Sequence, residues 1–568
     1  MAIARIKAWA ASHREDLCVF GAFLALSCLH GHRVVADFGT HIAGHGGDGF
    51  QNLWNMWWFR ESLLSGQNPY FTPMLHHPHG VTLLYQTLNP FNCLMALPFM
   101  ELFGQPAAYN IVFLLSFAAS GFGMYLLARR IFGDSLAAFA AGYAFTFSHF
   151  HLAHAQGHMQ FVGLEWVPLS LLFFERLIET RRLHDGLLLG LSLALTTFCD
   201  IYLLVATVIL LFIRAVAVAM ALRKKALDPR LLGSLGAGAL LYLATGGILV
   251  LAMLLSPTRA ELMPAHDSRF WSADLQGFFV PGWISAWNEA FATISSRWTG
   301  NSAECSTYLG WSILVLAALA FAHPPARGRP WVWLSGMLAG MVLALGPALH
   351  WGGRIDDSVA LPFAWIEKAL PFFSLSGAPV RWHFVAMTAS CLLLAAGIAG
   401  IRRRLPERRL WRLPLRLASG VLLLLAVAAD LLPRPIEARE IVPPEFIAEL
   451  RREGAGYAVM DLGDGNDALL RQTFHGLPMI GGYVSRLPRR LHDFERRTSL
   501  LRALRGEALL PKDRVTAEAR ELRLRFVIAY HGHPAIRNFA AMGLRMRFSE
   551  TWLEVWEIPL DDALQEAP

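Results

Sequence analysis

Residues 44–73 read GHGGDGFQNLWNMWWFRESLLSGQNPYFTP and set one acidic residue, Asp48, inside a glycine run. Three tryptophans follow between positions 54 and 58, at the i, i+3 and i+4 spacing that places side chains on one face of a helix. Because Trp is enriched at membrane–water interfaces, this segment predicts a helix with an aromatic face at such an interface. Asp48 followed three residues later by Gln51 fits a helix N-cap with a capping box. That structural role leaves a chemical role for Asp48 open.

The composition around this stretch is that of a membrane protein. Of 568 residues, 55% are hydrophobic and only 16% are charged, whereas soluble proteins carry about 25% charged residues. The formal net charge is +7, but Lys and Arg occur in short clusters between apolar runs, as topology signals do. Nucleic-acid binding is therefore not expected. The six cysteines are scattered without a CxxC motif, so no disulfide framework is predicted.

About eleven apolar segments approach the roughly 20 residues that a membrane-spanning helix needs. They are 15–34, 107–128, 135–150, 159–177, 184–200, 201–222, 231–255, 306–323, 330–350, 383–401 and 412–432. Basic clusters lie at 129–134, 175–185, 222–230, 323–330 and 401–412. With a cytoplasmic N-terminus, eleven spans put all five clusters on the cytoplasmic side, as the positive-inside rule requires. The predicted fold class is an α-helical polytopic membrane protein of the plasma (bacterial inner) membrane.

The remaining segments are predicted to face outward. They are the first outer loop 35–106, the loops 150–158, 256–305 and 351–382, and a tail that begins near residue 433. The tail alternates predicted strands at 456–463, 524–532 and 547–558 with predicted helices at 443–453 and 490–506. This alternation indicates a small α/β domain outside the membrane. We therefore divide the chain into a transmembrane module, 1–432, and an extracytoplasmic domain, 433–568.

Acidic residues on the outward side are the first candidates for chemistry. Asp48 and Asp37 lie just beyond the first span, where a carboxylate can orient and deprotonate a hydroxyl or hold a cation. Asp37 also fits a solvated helix end. Glu165 falls inside the predicted span 159–177, and an intramembrane carboxylate is costly unless it is functional or paired. A hydrogen bond within the helix bundle is the alternative for Glu165.

Four histidines at positions 149, 151, 154 and 158 invite a metal-site interpretation because pairs of them have helical spacing. The segment contains no HExxH motif and no carboxylate at ligand spacing. We therefore assign no metal ligand here, and whether a divalent cation takes part stays open. His154 and His158 remain candidates for substrate binding.

Further polar residues accompany these outward loops. Asp200 and Tyr202 occupy the tight turn between two spans, and Arg259 and Arg381 supply cations that can bind phosphate. Each arginine taken singly also fits a lipid-headgroup contact. In the tail, Tyr483 and Arg486 follow Gly481 and Gly482 in HGLPMIGGYVSR, 475–486. We expect this segment to fold over the outer loops, although an ordinary surface turn explains it equally well.

The order of these features resembles the GT-C superfamily of membrane glycosyltransferases, and most closely its poorly characterised bacterial members. The resemblance rests on six motifs in order: GDGFQNLWNMWW, HHPHGVTL (76–83), HAQGHMQFVGLEWVPL, STYLGWSIL (306–314), LPFFSLSGAPVRW (370–382) and HGLPMIGGYVSR. The chain departs from some relatives, because it has no adjacent Asp-Glu pair after the first span, no DxD motif in the first outer loop and no WWDxG motif in the tail.

The resemblance implies transfer of a sugar from a polyprenyl-phosphate donor to a glycan, lipid or protein acceptor outside the membrane. Asp48 matches the early acid of the family and becomes the expected base, with Asp37 as the second candidate. The arginines are then expected to bind phosphate, and His154, His158 and Glu165 to line the sugar pocket. Two other functions stay open: a transporter or flippase for a lipid-linked glycan, and a non-catalytic assembly partner.

Overall fold

A computed structural model of the chain describes residues 13–223, 228–263, 266–370, 373, 377–406, 408–410, 413–463 and 465–560. The predicted basic N-terminus and part of the 222–230 cluster lie outside these residues. The chain forms two compact units. The first comprises Met1–Phe38, Tyr109–Val250 and His266–Ala438, and the second comprises Gly39–Ala108, Leu251–Ala265 and Arg439–Pro568.

The first unit is almost entirely helical. Its α-helices are Arg14–His30, His32–Ala36, Gln105–Phe132, Ser135–Thr146, His149–His154, Trp166–Thr180, Leu183–Cys199, Ile201–Leu222, Pro229–Leu243, Gly246–Leu255, Asn288–Ser295, Trp311–Ala322, Pro330–Ala344, Pro362–Ala369, His383–Arg404 and Leu415–Asp430. Short 3-10 helices occur at Met159–Phe161, Leu275–Phe278 and Pro379–Trp382, and short antiparallel pairs join Ala348–Trp351 to Arg354–Ala360 and Arg409–Leu410 to Leu413–Pro414.

Each of the eleven predicted spans overlaps one or more of these helices. Among the residues that the structure describes, three helical segments are long and apolar enough to cross a membrane: Gln105–Phe132, Ile201–Leu222 and Pro379–Arg404. The helices Pro229–Leu243 and Gly246–Leu255 pass the same criterion together and are bent by 55° at the break between them. The total of eleven spans stays a prediction.

Glycine makes close helix packing within the first unit feasible. The helix His383–Arg404 is buried along most of its length, and a Cβ on Gly340 of a neighbouring helix would lie 2.2 Å from the backbone nitrogen of Ala386. In the same way a Cβ on Gly190 would lie 2.1 Å from the carbonyl oxygen of Gly238. The helices therefore touch backbone to backbone, as small residues allow in membrane proteins.

Gly190→Ala is expected to destabilise the chain because its methyl group would have to displace the backbone of the facing helix, at a cost of about 1–3 kcal/mol. Gly236, on that facing helix, is the matched control, since nothing lies within 4 Å of a Cβ built there. Gly236→Ala should be neutral or slightly stabilising, because Ala favours a helix over Gly by about 1 kcal/mol. Thermal unfolding in detergent compares the two variants. Equal melting temperatures would contradict the close contact.

The second unit contains a mixed four-stranded sheet. Its strand order is Arg545–Ser549, Leu553–Glu557, Leu524–Tyr530 and Ala458–Asp461. The first three strands pair antiparallel and the last two parallel. Further strands are His41–Ala43, Phe71–Thr72, Val81–Thr82 and Ala438–Glu440. The α-helices are Asp48–Leu64, Pro90–Phe103, Ile447–Glu453, Gly465–His475, Arg489–Arg497, Ser499–Leu504, Lys512–Glu521 and Ile536–Phe539, with a 3-10 helix at Pro257–Glu261.

The predicted strands 456–463 and 524–532 and the predicted helix 443–453 are confirmed, whereas two further predictions of single elements are wrong. The predicted strand 547–558 is part of a hairpin, since its residues fall in Arg545–Ser549 and Leu553–Glu557. The predicted helix 490–506 is interrupted at Thr498, whose backbone is extended with φ −73° and ψ 118°. Leu500, Leu501 and Leu504 of its second half are fully buried in the core of this unit.

Within the second unit the tail segment 475–486 contacts the first outer loop, as the sequence predicts. The amide of Met479 donates to the carbonyl oxygen of Met74 at 2.8 Å, and that of His76 donates to Gly481 at 2.8 Å. Gly482 has φ +104°, and a Cβ there would lie 2.8 Å from the side chain of Leu75. Glycine therefore permits both the backbone turn and the close approach.

Candidate functional site

Asp48 is the first residue of the helix Asp48–Leu64 and not its N-cap. The cap position belongs to Gly47, whose φ of +54° suits glycine, and no side chain caps the helix. The predicted capping box is therefore wrong. Gln51, its expected second member, donates instead to the hydroxyl of Ser485 at 3.1 Å. The glycine run lets the chain enter the helix one residue earlier than the capping pattern indicates.

The half-buried Asp48 carboxylate accepts a hydrogen bond from Asn466 at 3.3 Å. Its place in the first helical turn puts it at the positive end of the helix dipole, which favours the ionised form. Helix and tail are also joined by Trp54, whose indole donates to Gln472 at 2.7 Å. The Asp48 carboxylate and the start of this helix are thus fixed against the tail.

A cavity of about 500 Å³ lies next to these residues in the second unit. Asn466 directly follows Gly465, which lines the cavity together with Tyr483, one of the predicted binding residues. Other lining residues are Asp461, Gly463, Gly481, Gly482, Glu495, Arg505 and His533. A cavity of this volume with several polar side chains suits a small organic ligand.

Glu495 supplies negative charge to that cavity. It accepts hydrogen bonds from His76 at 2.9 Å and from Arg505 at 2.5 Å. Burial by itself raises the pKa of Glu495, but these two partners outweigh it and keep the pKa below its ordinary value. The carboxyl group is therefore ionised at neutral pH.

The two predicted arginines of the second unit lie outside its α-helices and strands. Arg486 donates to the carbonyl oxygen of Ser485 at 2.9 Å. Arg259 is half-buried in the 3-10 helix Pro257–Glu261, near Tyr85, whose hydroxyl donates to the carbonyl oxygen of Met253 at 2.5 Å. Both keep the role of predicted phosphate ligands.

A second cluster of candidate residues lies in the first unit, around Arg381. Its guanidinium donates twice to one carboxylate oxygen of Glu304, from Nε at 2.9 Å and from Nη2 at 2.5 Å. The ring of His154 lies on the other side of this carboxylate, with Nε2 3.7 Å from Oε2 of Glu304. His154 in turn shares a 2.8 Å hydrogen bond with His158 between their Nδ1 atoms.

Aromatic rings enclose the charged end of Arg381. The guanidinium lies 5.2 Å from the ring centroid of Tyr202 and 5.4 Å from that of Phe161, within cation–π range. Tyr202 therefore lies beside Arg381, a proximity that the sequence did not predict. Asp200 has a structural role here, because its carboxylate caps the helix Ile201–Leu222 by accepting from the amide of Tyr202 at 2.6 Å.

Charge states in this cluster follow from burial and pairing. Burial raises the pKa of the Glu304 carboxyl, but Arg381 and His154 more than compensate and hold it at about 2. Burial lowers the pKa of His154 well below its usual value. At neutral pH the structure therefore presents an ionised carboxylate beside a neutral imidazole.

Glu304 is the residue of this cluster that sequence reasoning missed. It is the one acidic residue between Glu289 and Asp356 in the sequence, and it lies two positions before the STYLGWSIL motif. A single acidic residue in so long a stretch was the sequence feature that could have marked Glu304 as a candidate. The fold brings its carboxylate to the histidine segment, and donor atoms of His154, His158 and Glu304 all lie within 4.8 Å of one another. These three residues can hold a metal ion.

The other candidate residues of the first unit take no part in the cluster around Arg381. Glu165 is only 4% exposed and is the N-cap residue of the helix Trp166–Thr180; its place inside a membrane span stays a prediction. Asp37 is exposed at the end of the helix His32–Ala36. The neighbouring histidine His151 is structural, since its ring contacts the carbonyl oxygens of Thr146 and Val162 at 2.8 and 3.2 Å.

The predicted site residues therefore divide between the two units. Asp37, His154, His158, Glu165, Asp200, Tyr202 and Arg381 belong to the first, and Asp48, Arg259, Tyr483 and Arg486 belong to the second.

Solved structures identify the class of fold. The arabinofuranosyltransferase AftD from Mycobacteria superposes with a TM-score of 0.61 at 13% identity, over 97% of this chain and 42% of that one. The apo oligosaccharyltransferase of Archaeoglobus fulgidus gives a TM-score of 0.50 at 11% identity, over 91% of this chain and 69% of that one. This chain thus spans less than half the length of AftD, and it has the GT-C fold of a multi-pass membrane protein.

The family is shown by sequence. Residues 18–431 match the profile of the family described as Domain of unknown function (DUF6311), and the chain belongs to that family. No curated protein matches the chain by sequence.

Proposed function

We propose that this chain is a membrane glycosyltransferase that moves a sugar from a polyprenyl-phosphate donor to a glycan, lipid or protein acceptor outside the plasma membrane. The observation that carries the proposal is the GT-C fold, which extends over more than nine-tenths of the chain in two glycosyltransferase structures. The motif order of the sequence supports the lipid-linked donor.

Such a transfer needs a base for the acceptor hydroxyl, cations for the departing phosphate and stabilisation of an oxocarbenium-like centre. Asp48 is the proposed base. Its position at a helix N-terminus and its contact with Asn466, next to the 500 Å³ cavity, support this role. The acceptor hydroxyl is proposed to enter through that cavity, and Tyr483 offers it an aromatic face 38% exposed.

The proposed phosphate ligands in the second unit are Arg259 and Arg486. In the first unit, Arg381 donates two N–H groups to Glu304. These bonds favour a role for Arg381 in orienting the Glu304 carboxylate rather than in binding phosphate. The remaining assignments stay predictions. They are Asp37 as a second acid and, for sugar binding, His154, His158, Glu165, Asp200 and Tyr202.

The decisive experiment is mass spectrometry of cell-envelope glycans from cells with and without the protein. We expect one glycan or glycosylated acceptor to lack a sugar in the deletion cells. The wild-type gene should restore the sugar, and a gene encoding Asp48→Asn should not. An unchanged glycan profile in the deletion cells would contradict the proposal. Accumulation of the finished lipid-linked glycan inside the membrane would favour a transporter instead.

Topology gives a separate prediction. In a chain whose six native cysteines are replaced, Trp552→Cys in the tail should react with a membrane-impermeant maleimide added outside intact cells. Trp552 is 74% exposed, so access within the fold does not limit labelling. Arg327→Cys, also at an exposed position, should react only after the membrane is permeabilised. Labelling of both positions from the same side would overturn the proposed orientation.

A further inference from the structure

The histidine segment and Glu304 are held in place by local structure. His154 is the last residue of the helix His149–His154, and the amide of His158 donates to its carbonyl oxygen at 2.7 Å, which closes the turn between the two rings. The amide of Glu304 donates to the side chain of Asn301 at 2.8 Å. Arg381 binds only the Oε1 atom of Glu304. The orientation of the second oxygen, Oε2, is thereby determined.

Two buried polar atoms face each other in this cluster without hydrogen bonds. Oε2 of Glu304 and Nε2 of His154 have no hydrogen-bond partner among the described residues, and their residues are only 3% and 0% exposed. Buried polar atoms are nearly always paired, since an unpaired one costs free energy. Their separation is 3.7 Å. Two ligands of one tetrahedral Zn²⁺ lie roughly 3.4 Å apart, so a cation between them requires only a small shift.

The donor set also selects the class of cation. Two imidazoles and one carboxylate, with a fourth position left open, is a ligand set typical of zinc enzymes. Mg²⁺ and Ca²⁺ need several oxygen ligands, which three residues with two ring nitrogens do not supply. Arg381, on the far oxygen of Glu304, orients the ligand as outer-shell partners do.

We propose that His154, His158 and Glu304 bind one transition-metal ion of the Zn²⁺ class, with Arg381 positioning the carboxylate. His154 binds the ion through Nε2, which faces Glu304, and the Nδ1 atom of His154 keeps the proton. His158 becomes the third ligand when its ring turns one unprotonated nitrogen toward the ion. Metal binding can be measured without a sugar donor, so its test does not depend on the proposed transferase activity.

Metal content of the full-length chain, purified in detergent through a tag without histidines, tests this directly. After dialysis against Zn²⁺ and removal of free metal, elemental analysis should find about one Zn²⁺ per chain. Replacement by Co²⁺ should produce the visible absorption of a low-symmetry tetrahedral site. Glu304→Gln and His158→Ala should each weaken Zn²⁺ binding at least tenfold. His184→Ala is the matched control, because that side chain is 69% exposed outside the cluster, and it should retain the metal.

Size-exclusion profiles and melting temperatures establish that each variant is folded. If Glu304→Gln fails to fold, His158→Ala tests the site in its place, because His158 is only half-buried. Wild-type chain without stoichiometric Zn²⁺, or Zn²⁺ retained equally by both ligand variants, would overturn the site. Because no sugar donor is present, failure of this test leaves the proposed transferase function unaffected.

Discussion

Asp48→Asn should lower sugar transfer by about two orders of magnitude or more, the usual contribution of a positioned general base, while the chain stays folded. Asn keeps the shape of Asp and can still accept the hydrogen bond from Asn466. Because Gly47 occupies the cap position, the start of the helix does not depend on the carboxylate. What the variant loses is the capacity to accept a proton. Transfer rates with a labelled lipid-linked donor, and melting temperatures in the same detergent, measure the two effects separately.

The carboxylate also interacts with the helix dipole, and this contribution has its own control. Asp513 lies in the first turn of the helix Lys512–Glu521 in the same unit and is exposed. Asp513→Asn removes the same kind of dipole interaction, about 0.3–1 kcal/mol, and should leave transfer unchanged. If Asp48→Asn instead transfers sugar at the wild-type rate, Asp48 serves only the helix. Asp37 is then the acid to replace.

Arg471→Met should destabilise the chain by about 3–5 kcal/mol, because it leaves a buried carboxylate without its cation. Arg471 donates to both oxygens of Asp461, from Nε at 2.7 Å and from Nη2 at 2.9 Å, and its Nη1 contacts the hydroxyl of Tyr530 at 3.3 Å. Burial by itself lowers the pKa of Arg471, but Asp461 reverses this and raises the pKa above its usual value. The pair is therefore charged, and removing one partner exposes the full desolvation cost of the other.

Arg514→Met is the matched control, since Arg514 pairs with Glu518 at the surface, where an ion pair contributes about 0–1 kcal/mol. A second variant separates charge from packing. Arg471→Met combined with Asp461→Asn removes the unpaired charge and should recover part of the lost stability. Thermal or denaturant unfolding of the three variants decides the matter. An Arg471→Met chain as stable as Arg514→Met would show that the buried pair contributes nothing.

Local patterns were sufficient for most elements of the fold. The predicted span 201–222 coincides with the helix Ile201–Leu222, and the predicted strand 524–532 contains Leu524–Tyr530. Both follow from the hydrophobic pattern of a short segment, which is encoded in neighbouring residues. The contact between the tail segment 475–486 and the first outer loop was also expected, because its paired glycines suit a close approach.

Local patterns failed where backbone conformation or burial depends on distant residues. The spacing of Asp48 and Gln51 fits a capping box, but the positive φ of Gly47 moves the cap by one residue. Thr498 interrupts an amphipathic segment, 490–506, whose one glycine comes only at its end. In each case tertiary packing overrides a preference that is worth only about 1 kcal/mol or less.

By itself, the sequence determined the membrane class, the positions of the apolar segments and two strands of the tail, because each depends on residues close together in the chain. Only the tertiary structure decided that Glu304 meets His154 and that Arg381 binds this carboxylate rather than standing free. A buried charge is tolerated only when the folded chain supplies its partners. Those partners lie far away in sequence, so no spacing rule could have assigned them.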